Sequence, residues 1–165
     1  MVPAERWRMR VTGRVKARAL VIVLVACIGV LAACSGERET GGRMRALDDT
    51  GRPPSPIEDG WMVALPAVGA TWDLLGARPE DNNSVDSEAK IQKAEVLAAG
   101  GVWQPLGAGG RFDLPVEPGE WAVCYLPKPD DVGPHGVAGC NVLHLEEGSR
   151  VEASWGEGGF WAAVD

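Results

Sequence analysis

The chain has 165 residues, 16 basic and 23 acidic, and a formal net charge of −7. Six basic residues and one acid precede Cys34, which leaves ten against 22 beyond residue 33 and a net of −12 there. A body this acidic has no electrostatic footprint for nucleic acid and is repelled by anionic lipid; with no metal-ligand spacing or cofactor motif in it, no metal and no cofactor are expected.

The first element is a leader. Arg6, Arg8, Arg10, Arg14, Lys16 and Arg18 are opposed by Glu5 alone, and residues 19–33 carry no charge. A basic start followed by an apolar run of this length has the pattern of a secretory signal and is short for a spanning helix, which needs about 20 apolar residues. The run closes on Leu31, Ala32, Ala33 and Cys34, followed by Ser35 and Gly36. This stretch resembles the lipobox of bacterial lipoproteins. The resemblance implies that residues 1–33 are removed and that Cys34 becomes a lipidated N-terminus at the extracytoplasmic face of a membrane. The alternatives are an uncleaved anchor, or an ordinary signal with a coincidental cysteine. Two or more acyl chains give stable anchoring, because each buried methylene contributes about 0.8 kcal/mol.

Residues 34–57 are rich in Gly, Pro and charge and predict a flexible tether. Residues 58–165 remain for one domain with its own core. Residues 61–65 (Trp-Met-Val-Ala-Leu) and 70–75 (Ala-Thr-Trp-Asp-Leu-Leu) are expected strands. Residues 85–99 contain good helix formers yet also suit a strand entering at Ala94, and residues 95–106 predict a strand bent at Gly100 and Gly101. Further on, Phe112, Leu114 and Val116 share one face, and strands follow at residues 121–126, 141–145, 151–155 and 160–164. Turn signals every eight to twelve residues point to a sandwich or barrel.

Residues 110–121 (Gly-Arg-Phe-Asp-Leu-Pro-Val-Glu-Pro-Gly-Glu-Trp) resemble the signature of carboxypeptidase-regulatory-like, prealbumin-type domains: a Gly-x-Phe strand, a Pro-Gly turn and a strand opening with an aromatic. Trp121 stands where that family usually has Tyr. The resemblance implies an all-β fold, a single antiparallel Ig-like or prealbumin-like sandwich of about seven strands, used as a spacer, brace or binding module and seldom as a catalyst.

With Cys27 in the leader and Cys34 taken by lipid, Cys124 and Cys140 form the remaining pair, expected as a disulfide in an oxidising compartment. His144 alternates away from Leu143 and Leu145, toward water. His135, Asp130 and Asp131 sit in the Pro/Gly-rich loop 127–139, where a metal site is set against a polar loop closed by the disulfide. Residues 81–86 fail the calcium-loop spacing, with Val85 at a ligand position. Asn141 with Lys90, Lys93 or Lys128 does not occupy the first-strand and last-strand positions of an isopeptide bond. No Gly-x-Ser-x-Gly elbow or comparable pattern supports a catalytic triad, so the domain is expected to be non-enzymatic.

Six tryptophans follow the leader. Trp121 and Trp155 are expected in the core, while Trp61, Trp103 and Trp161, with His135, form the candidate ligand surface. The expected function is an envelope interaction or bracing module, partnered by the membrane through Cys34 and by an envelope protein or glycan. The alternative is a glycan- or peptide-binding protein that uses its exposed tryptophans and the 127–139 loop.

Overall fold

The computed structural model describes residues 39–47, 53–127 and 134–165. The leader, the expected lipid-attachment residue Cys34, and Lys128, Asp130 and Asp131 of the long loop lie outside the described residues. Among those described, the chain is mainly strand, in two five-stranded sheets and a two-stranded ribbon.

The elements in order are β1 (Gly41–Ala46), β2 (Ser55–Pro56), β3 (Trp61–Pro66), α1 (Gly69–Leu75), β4 (Ser84–Val85), β5 (Lys90–Ile91), α2 (Lys93–Ala98), β6 (Val102–Pro105), β7 (Arg111–Asp113), β8 (Gly119–Leu126), β9 (His135–Gly136), β10 (Gly139–Leu145), β11 (Arg150–Gly156) and β12 (Gly159–Val164). The first sheet runs β12-β11-β1-β2, with β7 also paired to β1; the second runs β4-β10-β8-β3-β6; β5 and β9 make the ribbon. The expected sandwich is present, with more strands than the seven anticipated.

One pairing departs from the antiparallel expectation. Strand β1 lies parallel to β11, with Gly41 beside Arg150 and Ala46 beside Trp155. This also corrects the extent of the tether, because residues expected to be flexible supply a strand inside the first sheet. Met44 is wholly buried. Just before the strand, Thr40 is buried, donates its hydroxyl to the Glu146 carbonyl (3.0 Å) and accepts from the Leu114 amide (2.7 Å). The Gly41-Gly42 pair that signals flexibility in the sequence serves close approach here. A Cβ on Gly42 would collide with the Val151 carbonyl, so only glycine lets β1 and β11 pack at this distance.

The second sheet is covered on both faces. Toward the first sheet, Met62, Ala64, Val123, Tyr125, Leu143 and Leu145 meet Met44, Phe112, Leu114, Val151, Ala153 and Ala162. On the opposite face, Val63, Leu65, Ala122, Cys124 and Leu126 pack with Leu75, Ile91, Val96, Trp103 and Val137. The unbroken apolar runs of β3 and β8 follow from burial on both sides, each large side chain contributing about 1.5–3 kcal/mol. Cys124 and Cys140 stand directly opposite on β8 and β10 and form a disulfide with S–S 2.04 Å. Closing this loop removes about 3 kcal/mol of unfolded-chain entropy on the simple model.

Residues 70–75, expected as a strand, are helix α1. Thr71 and Leu75, four apart, are its buried residues, and Gly76 closes it in the left-handed conformation (φ 63°). So short an apolar run fits either period, and the glycine stop decides for the helix. Within residues 85–99 the helix option holds as α2, which takes in Ala94, so the strand expected to enter there is absent; the short β5 precedes the helix. The start of α2 is fixed by a capping box, in which the Gln92 backbone N–H donates to Glu95 Oε2 at 2.7 Å. Residues 95–106, expected as one bent strand, are the end of this helix and β6, separated by Gly100 and Gly101.

The sheets are pinned where β12 meets β10. The backbone N–H of Ala162 donates to Asn141 Oδ1 at 2.8 Å, so a side chain from the second sheet satisfies an edge amide of the first. An open strand of this composition invites pairing with another chain; here part of that edge is capped internally.

Candidate functional site

Three of the four residues expected to form a ligand surface come together. Trp61 opens β3 and lies diagonal to Trp103, which is opposite Val63; side chains of this size touch across such a diagonal. Their ring centroids are 5.8 Å apart. His135, opposite Ile91 in the ribbon, places its ring 4.3 Å from Trp61 and 5.4 Å from Trp103.

The cluster is partly covered: one ring is buried and two are half-buried. Trp103 is 8% exposed and belongs to the core, and Trp61 is half-buried. His135 Nδ1 is buried and has no hydrogen-bond partner among the described residues. Burying aromatic area is favourable, and the bare face of the second sheet had to be covered; those rings do it.

Trp161, the fourth candidate, lies on the first sheet. It is 53% exposed and paired with Ser154. The two tryptophans expected in the core also differ from expectation. Trp121 is half-buried and donates its indole N–H to the Glu117 carbonyl at 2.9 Å. Trp155 is 38% exposed, its ring 5.6 Å from Tyr125 at the rim of the sandwich. Alternation places a residue on a face, but it does not tell whether that point of the face is covered.

His144 faces water, as alternation predicts. In the 81–86 loop, Asn82 Oδ1 accepts from the amide (3.0 Å) and hydroxyl (2.6 Å) of Ser84, so this acceptor is committed to the turn itself. Tyr125 donates its hydroxyl to the Asp59 carbonyl at 3.1 Å. Burial pushes its phenol above the usual value, and the Asp59 carboxylate adds to the effect. Among the described residues no group of three His, Cys, Asp or Glu is placed to hold a metal, and no helix is long and apolar enough to cross a membrane.

The open site is elsewhere, on the outer face of the first sheet. A groove of about 830 Å³ is lined by Arg43, Arg111, Arg150, Glu39, Asp113 and Glu152, with Gly41 at its floor. Arg43 stands opposite Arg111 of β7 on one side and Glu152 of β11 on the other. One register step away, Gly41 separates Asp113 from Arg150. A Cβ on Gly41 would lie 2.7 Å from the Phe112 carbonyl oxygen, so the floor of the groove is held bare. Among the described residues the one ion pair is Arg45–Glu152 (3.7 Å), and its partners are 45% and 43% exposed. In so wet a position it contributes little to stability.

Sequence reasoning missed this site because its parts are far apart in the chain. Arg43 lay in the expected tether, while Arg111 and Arg150 each open a strand some 40 residues from the other. The available signal was the outward alternation of basic residues in a chain poor in them. The parallel register that unites them has no local signature.

No family model and no curated protein matches the chain. Among solved structures it is similar to a protein of Pseudomonas aeruginosa to which carbohydrate binding is ascribed. The identity is 11% and the TM-score 0.41, over 76% of this chain and 92% of that one. A likeness of this degree carries neither fold nor ligand to this chain.

Proposed function

We propose that this chain is an extracytoplasmic lipoprotein, held at the outer face of a bacterial membrane by acyl chains on Cys34, and that its β-sandwich is a non-enzymatic interaction module of the cell envelope. The observation that carries the interaction reading is the groove on the first sheet, where three neighbouring strands project charged side chains from a rigid support. Placement outside the cytoplasm is supported by the basic-then-apolar leader and by the buried Cys124–Cys140 disulfide, a bond that persists in oxidising compartments. The resemblance of residues 110–121 to carboxypeptidase-regulatory-like domains favours the same role.

The second reading, a glycan- or peptide-binding protein gripping its ligand with exposed tryptophans and the 127–139 loop, has Trp161 in its favour. Trp61 and Trp103 favour it less, since they pack on each other and on His135.

Fractionation tests the anchor. The native protein is expected in the membrane fraction with a modified N-terminal Cys34, and Cys34→Ala is expected to shift it to the soluble fraction. Tight membrane association of Cys34→Ala, or a native N-terminus at Met1 by mass spectrometry, defeats the lipoprotein reading.

A further inference from the structure

We infer that the groove on the outer face of the first sheet is a binding site for an acidic saccharide, a sugar chain whose rings carry carboxylate groups. The inference rests on the interaction-module reading only in placing such a ligand within reach; the site itself is argued from its own residues.

Charge distribution is the first argument. Of the ten basic residues beyond residue 33, Arg43, Arg45, Arg111 and Arg150 lie on this one sheet face, where Glu39, Asp113 and Glu152 stand among them, so the face alternates in sign within a chain segment that is otherwise strongly acidic. The second is a local conflict. Arg43 and Arg111 are directly opposite on adjacent strands, and like charges in that relation destabilise a sheet. Neither is ion-paired among the described residues. A locally unfavourable pair on an otherwise consistent sheet marks a surface shaped by something other than stability.

The third argument selects the ligand. Guanidinium groups match carboxylates in a two-pronged geometry, and strands spaced about 4.8 Å apart set them at intervals of the same order as successive sugar rings. Glu39 and Asp113 interleave with the arginines and can accept from hydroxyls. An acidic sugar offers both partners, oxyanions and hydroxyl donors. A flat anionic bilayer cannot enter a groove and is repelled by those carboxylates. Trp161 lies on the same face, in the register row of Arg45 and Ser154, and adds an exposed aromatic plane on which a sugar's C–H face can rest.

The test is calorimetric titration of the full chain in neutral detergent with an oligogalacturonate, a neutral galactose oligomer of equal length, and vesicles containing phosphatidylglycerol. The expected result is saturable binding of the oligogalacturonate that weakens as salt rises, with at least about tenfold weaker binding of the neutral oligomer. Arg43→Gln and Arg111→Gln are each expected to weaken it about tenfold, as loss of one charge-assisted contact does. Lys93→Gln, on α2, is expected to leave it unchanged. Arg43→Lys, which keeps the charge and loses the fork, should fall between Arg43→Gln and the unmutated chain. Should a glutamine variant melt early, the salt series and the neutral oligomer still decide on the unmutated chain.

Equal affinity for the neutral oligomer, unchanged affinity in both glutamine variants, or no saturable binding overturns the site. Binding to the vesicles without binding to the saccharide overturns it too, and assigns the face to lipid. Cys34→Ala should bind the saccharide whether or not it leaves the membrane, so a failure of the groove and a failure of the anchor register separately.

Discussion

The two sheets present opposite solutions to the same problem. The second sheet turns Trp61 and Trp103 onto a face that the ribbon, with His135, then partly covers; Trp103 joins the core and the other two rings are half-buried against it. The first sheet leaves its outer face open and furnishes it with arginines and carboxylates around a bare glycine floor. Residue types that suggest recognition in a sequence, the aromatics, are here largely used for cohesion. Some of the scattered charges, which suggest mere solubility, are gathered around a groove. Aromatic content therefore reports how much area a small domain must bury before it reports a ligand.

That contrast can be broken by measurement. Its largest expected effect is at Trp103: Trp103→Ala should cost about 3–5 kcal/mol of stability, as removal of a buried indole does. Urea unfolding reads it, and a loss too small to separate from the parent curve would return Trp103 to the surface. Next comes the pin between the sheets. Asn141→Ala leaves the buried Ala162 amide without its acceptor and should cost about 1–3 kcal/mol. Hydrogen exchange should quicken at Ala162, and unchanged protection there would mean that the amide has another partner. The smallest effect belongs to the groove. Arg43→Gln should alter stability by no more than about 0.5 kcal/mol, as exposed substitutions do, and relief of the Arg43–Arg111 opposition pushes the change toward gain. A large loss at Arg43 would make the open face structural and erase the distinction.

Much of the second half of the fold was legible. The alternation around Phe112 and Leu114, and the runs at residues 121–126, 141–145, 151–155 and 160–164, fall on or overlap β7, β8, β10, β11 and β12. The two remaining cysteines were legible as a disulfide. Less was legible at the front. Gly41 and Gly42 gave β1 the look of a linker, since nothing local distinguishes a glycine that bends freely from one that admits a neighbouring backbone. Helix α1 was hidden by an apolar run too short to show its period. Of the site, Trp161 is exposed as expected, but Trp61, Trp103 and His135, grouped with it as one ligand surface, lie apart from it and pack on one another, which depends on the ribbon laid beside the second sheet. The arginine groove required knowing which strand lies beside β1.

The parallel register of β1 has a consequence for how the chain comes to be. Gly41 and its neighbour Arg150 sit near opposite ends of the described residues, and contacts that distant in sequence form late and slowly. The first sheet cannot close until β11 and β12 have been made, so β1 is without its parallel partner while most of the chain is synthesised. Completion of the sandwich then waits for those two strands.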